Sequence, residues 1–471
     1  MNWPGSAFLH NAEAAAARTP VGRDRVIDAV RGASLVVVVI GHSAMLVVYW
    51  PTSGTVVVGN LLASVPGLAV LTWLFQVIPL FFVAGGAASV QSWRAMPPGS
   101  GRYAGWLWLR LRRLYRPVLV YLAVMSVVAT ICTLTLGTAA SSFLAIACQM
   151  LWFLGIYVLT TMLVPVMSRI PRTLAWLPFV LGVVCVGVID IGVQAGVVPS
   201  WVALSDFLLV WLVVQQLGLC WDVAPGAKRW LLGGILGLLS AMLLVVVGPW
   251  PVSLVGVPGE PISNMAPPSI VLLLYGLGAG CLLIWMRPRL ASWLRRPRPW
   301  TVAALISGVS MTIYLWHVPA IGVSVLLLHG VGLPAPTTIG PTGVPIPANG
   351  GAYLAWWFGY LIVTLVVLSS AVPGLSQLDL RHVRWWDDRL LPWSRWPGAW
   401  RGLVVLAGLA IAWGTLVLSI VGLAGFPFLL VSWNGLELNS AGAVSVIVVG
   451  LLMARIGAGK EHRPRLGRAV P

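Results

Sequence analysis

Long apolar runs recur along this chain, and Lys and Arg gather in every second gap between them. A helix rises ~1.5 Å per residue, so a run of about 20 residues crosses the ~30 Å of hydrocarbon in a bilayer. Backbone groups in hydrocarbon must bond within their own segment, which makes such runs helices. Twelve are placed at about 26–50, 67–92, 117–137, 143–167, 174–197, 201–221, 230–248, 268–286, 301–329, 352–374, 402–425 and 439–456. The last is the shortest for a crossing. The charge pattern fixes orientation, because loops rich in Lys and Arg stay in the cytoplasm. Both termini are therefore expected there, with residues 1–25 a short tail ahead of an uncleaved signal anchor.

Composition narrows the class further. The chain is 59% hydrophobic and 9% charged over 471 residues, against about 25% charged in soluble domains. Its net charge of +17 is spread through short loops, which reads as membrane topology and not as a nucleic-acid surface. The five cysteines lie in or beside apolar runs with no CxxC pair, so neither a disulfide framework nor a metal site is indicated. The expected fold class is all-α, a polytopic membrane helical bundle. Pro79 and the Gly85–Gly86 pair are expected to bend or thin the second span. Many of the 26 tryptophans fall near span ends, where an amphipathic ring suits the interface, so most need no functional account.

The stretch Arg23 to Trp50 carries the most chemistry. A helix turns ~100° per residue, so the eleven steps from Arg31 to His42 end about 20° beyond three turns. The two side chains share a face, separated by roughly 16 Å along the axis. Asp28 joins the same stripe. Ionisable groups in a span are costly and mark functional sites by default. Alternatively, Asp28 and Arg31 form an i,i+3 pair at the headgroups and His42 bonds a neighbouring helix.

Other titratable residues at membrane depth are Asp190, Asp206, His317 and His329. His42 and His317 fall at comparable depth and suit proton transfer near neutral pH. His317 also stands beside Pro319, and a backbone group freed by that proline would occupy it structurally. Asp190 and Asp206 flank a short outer loop, where contact with an acceptor and plain hydration are the two readings and hydration is preferred. Arg110, Arg113 and Arg116 recur near helical spacing before the third span. Guanidinium forks match phosphate, which suggests a grip on a phosphorylated cytosolic cofactor. Topology and anionic lipid explain the same arginines without a ligand.

Several of these stretches resemble one family. RVIDAVRGASLVVVVIGH is similar to the opening of the acyltransferase-3 family of integral membrane acyltransferases, with Arg31 and His42 at the matching positions. IPLFFVAGG resembles that family's "PLFFVLSG", with Gly85 where serine is usual. Arg110–Arg113 and Arg113–Arg116 both fit its R-x-x-R region. LWFLGIYVL and SGVSMTIYLWHVP resemble two later motifs, the second through Tyr314 and His317. The resemblance covers about residues 20–375.

The resemblance implies a ten-span acyltransferase core at 26–375; a basic linker at 376–401, two additional spans within 402–456 and a basic tail at 457–471 fall outside it. It implies acyl-CoA as co-substrate, with acetyl-CoA the usual donor, and no metal. The implied acceptor is a hydroxyl of a glycan, glycolipid or small metabolite at or beyond the outer face of the plasma membrane. Membrane lipids are the surroundings, and nucleic acid is no partner. His42 and Arg31 take the catalytic positions, with Asp28, His317 and Tyr314 in support and Arg110, Arg113 and Arg116 on acyl-CoA. The competing class is a secondary transporter with the Arg31–His42 seam as a proton or substrate pathway, although the paired interrupted spans of many such folds are not evident. A scaffolding protein would not need buried His and Arg in register.

Overall fold

The computed structural model describes residues 22–51, 56–99, 101–136, 141–341, 343–381, 383–387, 399–427, 430–433 and 436–458. The tail 1–21, the linker centre 388–398 and the tail 459–471 lie outside the described residues, and with them Arg389 and Arg395 of the expected basic linker. The described chain is all-α apart from three two-stranded hairpins, and it holds 12 helices long and apolar enough to cross a membrane.

Helix α1 spans Arg25–Met45. Asp24 caps it, its carboxylate accepting from the Val26 and Ile27 N–H groups that no helical carbonyl can reach. The apolar run reaches Trp50, but the helix stops at Met45 because Leu46–Tyr49 forms strand β1. It pairs antiparallel with β2, Val57–Asn60, and β-branched valines favour that pleated pairing.

The second span, Pro66–Ala95, is a 3-10 turn and a short helix followed by α2, Ile78–Ala95. The span is interrupted at Gln76–Val77, just ahead of Pro79. Pro79 sits in the first turn of α2, where a missing N–H leaves no bond unmade. The expected thinning is present: a Cβ on Gly86 would meet the Gln215 carbonyl at 2.5 Å.

Helix α3, Arg102–Leu136, carries the arginine cluster and the third span as one rod, so the predicted loop before residue 117 is mostly helical. The rods α4, Ser141–Gln149, and α5, Leu151–Met167, make the fourth span. Helices α6 (Leu177–Gln194), α7 (Asp206–Leu219), α8 (Lys228–Val247) and α9 (Ile270–Trp293) follow.

The predicted span 301–329 is two helices, α10 (Pro297–Gly308) and α11 (Ser310–Gly330), broken at Val309 (φ −111°, ψ 13°). Ser307, Gly308 and Ser310 flank that break, but no charge falls there and apolar residues lie on either side, so the run reads as one span. Strands β3 (Thr337–Ile339) and β4 (Pro345–Pro347) precede α12, Gly350–Leu380. The short helix α13, Arg384–Asp387, leads to α14 (Ala399–Val421), the hairpin β5 (Leu430–Trp433) and β6 (Leu436–Asn439), and α15 (Ser440–Gly457).

The chain divides into two compact units. The first is Met1–Ala88 with Ile170–Leu375. Glycines let its helices approach closely, as small residues do in membranes. A Cβ on Gly237 of α8 would lie 2.7 Å from Gly278 Cα of α9. Around α1 and α11, Leu35, Val39, Val309, Ala320, Leu368 and Val372 form an apolar cluster.

Asp190 and Asp206 are not hydrated as the sequence suggested. The Asp190 carboxylate accepts from Ile270 N–H at 2.7 Å and so caps α9 from a distance, while Asp206 is fully buried. Among the described residues neither Asp206 oxygen has a hydrogen-bond partner.

The second unit is Ser89–Arg169 with Ser376–Pro471. Here the two C-terminal spans α14 and α15 pack on each other and on α3 and α5. The α14–α15 seam is again glycine-lined, with a Gly414 Cβ only 2.8 Å from the Ala443 carbonyl. Tyr115 of α3 and Thr415 of α14 share a buried hydrogen bond of 2.8 Å.

Candidate active site

Helix α1 packs against α10 and α11, and that packing brings two distant histidines together. His42 Nδ1 lies 2.9 Å from His317 Nε2, with the rings stacked at 5.1 Å between centroids. His317 is fully buried, and its Nδ1 lies 2.7 Å from the Tyr314 carbonyl oxygen. A carbonyl only accepts, so His317 Nδ1 carries the proton. In neutral His317, Nε2 is then a lone pair, and His42 Nδ1 must donate to it. In the neutral pair this leaves the lone pair of His42 on Nε2. The chain of bonds therefore fixes both tautomers and leaves one basic nitrogen at the His42 end.

His42 and His317, read from the sequence as lying at comparable depth, are in contact. His317 also bonds a backbone carbonyl, but it is Tyr314's and not that of Leu315, the carbonyl that Pro319 leaves without an N–H donor.

Arg31 lies on the same helix. Its guanidinium carbon sits 5.2 Å above the Phe81 ring, and its Nε is buried with no hydrogen-bond partner among the described residues. A buried guanidinium N–H without an acceptor is costly, and an incoming acceptor would relieve it. Asp28 does not orient Arg31 by an ion pair. Its carboxylate takes Arg23 Nε at 2.5 Å, and Ser307 Oγ donates to its other oxygen at 3.4 Å. Phe81 and Ser307 were not singled out in the sequence. Both contacts depend on helix packing, and neither residue type signals a site by itself.

In the second unit, the arginines of α3 have distinct settings. Arg110 Nη2 donates to Ser92 Oγ at 2.6 Å, with its guanidinium 5.5 Å from the centre of Trp106. Arg113 is exposed. Arg116 Nη1 is 3.1 Å from the Asp387 carboxylate of α13. The Val383 N–H also donates to Asp387, at 2.9 Å. Partial burial opposes ionisation of Asp387, but the Val383 N–H and the Arg116 and Arg112 charges hold its carboxyl below the usual carboxylate range. Arg102 Nη2 donates to the Trp93 carbonyl at 2.6 Å and stacks on that ring. Among the described residues no three His, Cys, Asp or Glu converge as metal ligands.

No curated protein and no solved structure matches the chain. The acyltransferase-3 family model, described as an acyltransferase domain, matches residues 24–373. That interval holds the histidine pair, Arg31 and the α3 arginines, and it stops before α13, α14 and α15. The span pattern and a match over most of its length make this chain a member of the acyltransferase-3 family of integral membrane acyltransferases.

Proposed function

We propose that this protein moves an acyl group, acetyl in the simplest case, from cytosolic acyl-CoA to a hydroxyl of a glycan, glycolipid or small metabolite at or beyond the outer face of the plasma membrane. Both termini lie in the cytoplasm in this reading. The observation that carries it is the 2.9 Å contact between His42 and His317, with Tyr314 fixing the far end.

His42 Nε2 takes the proton of the acceptor hydroxyl as the oxygen attacks the thioester carbonyl. The new C–O bond forms, the C–S bond breaks, and the thiolate recovers the proton from Nε2. General base catalysis of this kind contributes about 10²–10⁴-fold. His317 holds the His42 tautomer and stabilises its imidazolium through the Nδ1 hydrogen bond. Arg31 in the first unit and, separately, Arg110, Arg113 and Arg116 in the second offer guanidinium forks suited to phosphates of the donor. An unpaired buried Nε on Arg31 supports that role.

The test is transfer of labelled acetyl from acetyl-CoA by the full-length protein in proteoliposomes. Label should enter the acceptor with wild type and not with His42→Ala, which should still purify as a monodisperse protein. A folded, fully active His42→Ala variant rules the mechanism out.

A further inference from the structure

The segment beyond the family match reaches back onto the arginine helix. Asp387 bonds only one edge of Arg116, through Nη1. The other edge, Nη2, is buried and has no hydrogen-bond partner among the described residues. The neighbouring Trp386 is 7% exposed, packs edge-on to Trp108 of α3 at 5.1 Å, and its Nε1 is likewise buried without a partner.

Arg455, near the end of α15, is 4% exposed. It donates from Nε to the Trp385 carbonyl at 2.9 Å and sits 5.6 Å over the same Trp108 ring. Trp108, Arg112 and Arg116 follow at i, i+4 and i+8, so they form one stripe of α3.

Two buried N–H donors with no acceptor, beside three guanidinium groups and one carboxylate, define a place short of an acceptor and short of negative charge. Asp387 holds one edge of Arg116 and leaves the other to a ligand, the arrangement that keeps a planar fork ready for bidentate contact.

We propose that Trp386, Asp387 and Arg455 complete, with Arg112 and Arg116, a binding site for a phosphate group. Trp386 and Arg116 donate to it, Arg112 and Arg455 supply charge, and Asp387 is a positioning residue. The phosphate belongs to the acyl donor or to an anionic lipid headgroup. The first source rests on the donor reading above, and the second does not.

The experiment uses full-length protein in nanodiscs of phosphatidylcholine, with coenzyme A as one probe and added phosphatidylglycerol as the other. Calorimetry reads coenzyme A affinity, and native mass spectrometry reads retained phosphatidylglycerol. Trp386→Phe keeps an aromatic ring and removes the N–H; Asp387→Asn removes the charge that orients Arg116. Either variant should weaken one probe about tenfold, the scale of a hydrogen bond to a charged group. The probe that weakens identifies the source.

If wild type ignores coenzyme A but retains phosphatidylglycerol in a Trp386-dependent way, the donor reading fails and the site stands. Unchanged retention of both probes in Trp386→Phe overturns the site. So does tighter binding in Asp387→Asn, because the carboxylate would then be a competitor. Should Asp387→Asn not purify as a monodisperse protein, Trp386→Phe alone decides.

Discussion

His42 and His317 form a pair with a direction. The Tyr314 carbonyl can only accept, so protons on both rings are ordered from that end. Replacing His42 by alanine should lower kcat by about 10²–10⁴-fold, with donor affinity little changed. His317→Phe should give a smaller loss, because His42 keeps its basic ring and loses only the bond that fixes its tautomer. Steady-state kinetics on both variants checks the ranking, and equal losses would place the two rings in one role. Arg31 and His42 were legible in the sequence because helical spacing alone puts them on one face. The partner of His42 was legible only as a matching depth, since 275 residues separate the rings. The partner of Asp28 was not legible, because Arg23 precedes the helix and Ser307 arrives from α10. The Arg116–Asp387 pair spans 271 residues and lies in a stretch whose basic character hid its one useful acid.

Among the elements, span count and helix identity came directly from apolar run length, while the ends did not. Strand β1 claims the last apolar residues of the first run through pairing with a partner that run length does not reveal. Gly86 and Gly237 set how closely neighbouring helices lie, and added methyl groups there meet backbone atoms at 2.5 and 2.7 Å. Alanine at either should destabilise the purified protein by about 1–3 kcal/mol, read as a lower melting temperature in detergent. Gly187 faces open space, and its alanine variant should melt like wild type. The contact of α13 with α3 should show a pH signature. Asp387 is held below the usual carboxylate range, so its stabilisation is present at neutral pH and is lost as acidity protonates it in the folded state. The gap in melting temperature between wild type and Asp387→Asn should narrow as pH falls from 7 to 3, and parallel curves would remove Asp387 from the contact.

At the scale of the molecule, α14 and α15 are not a loose appendage. They cover α3 and α5, and a family match ending at residue 373 leaves those helices without that cover. A chain truncated after residue 381 should therefore fail to purify as a monodisperse protein; an active, monodisperse truncation would show the two spans to be dispensable. The proton path carries a consequence for turnover. Among the described residues the hydrogen-bond chain ends at the Tyr314 main-chain oxygen, which can only accept. A proton captured at the His42 end must leave from that same nitrogen, so the leaving sulfur has to be waiting when the attacking oxygen arrives. Donor and acceptor would then occupy the enzyme together, and initial-rate plots against either one should intersect instead of running parallel.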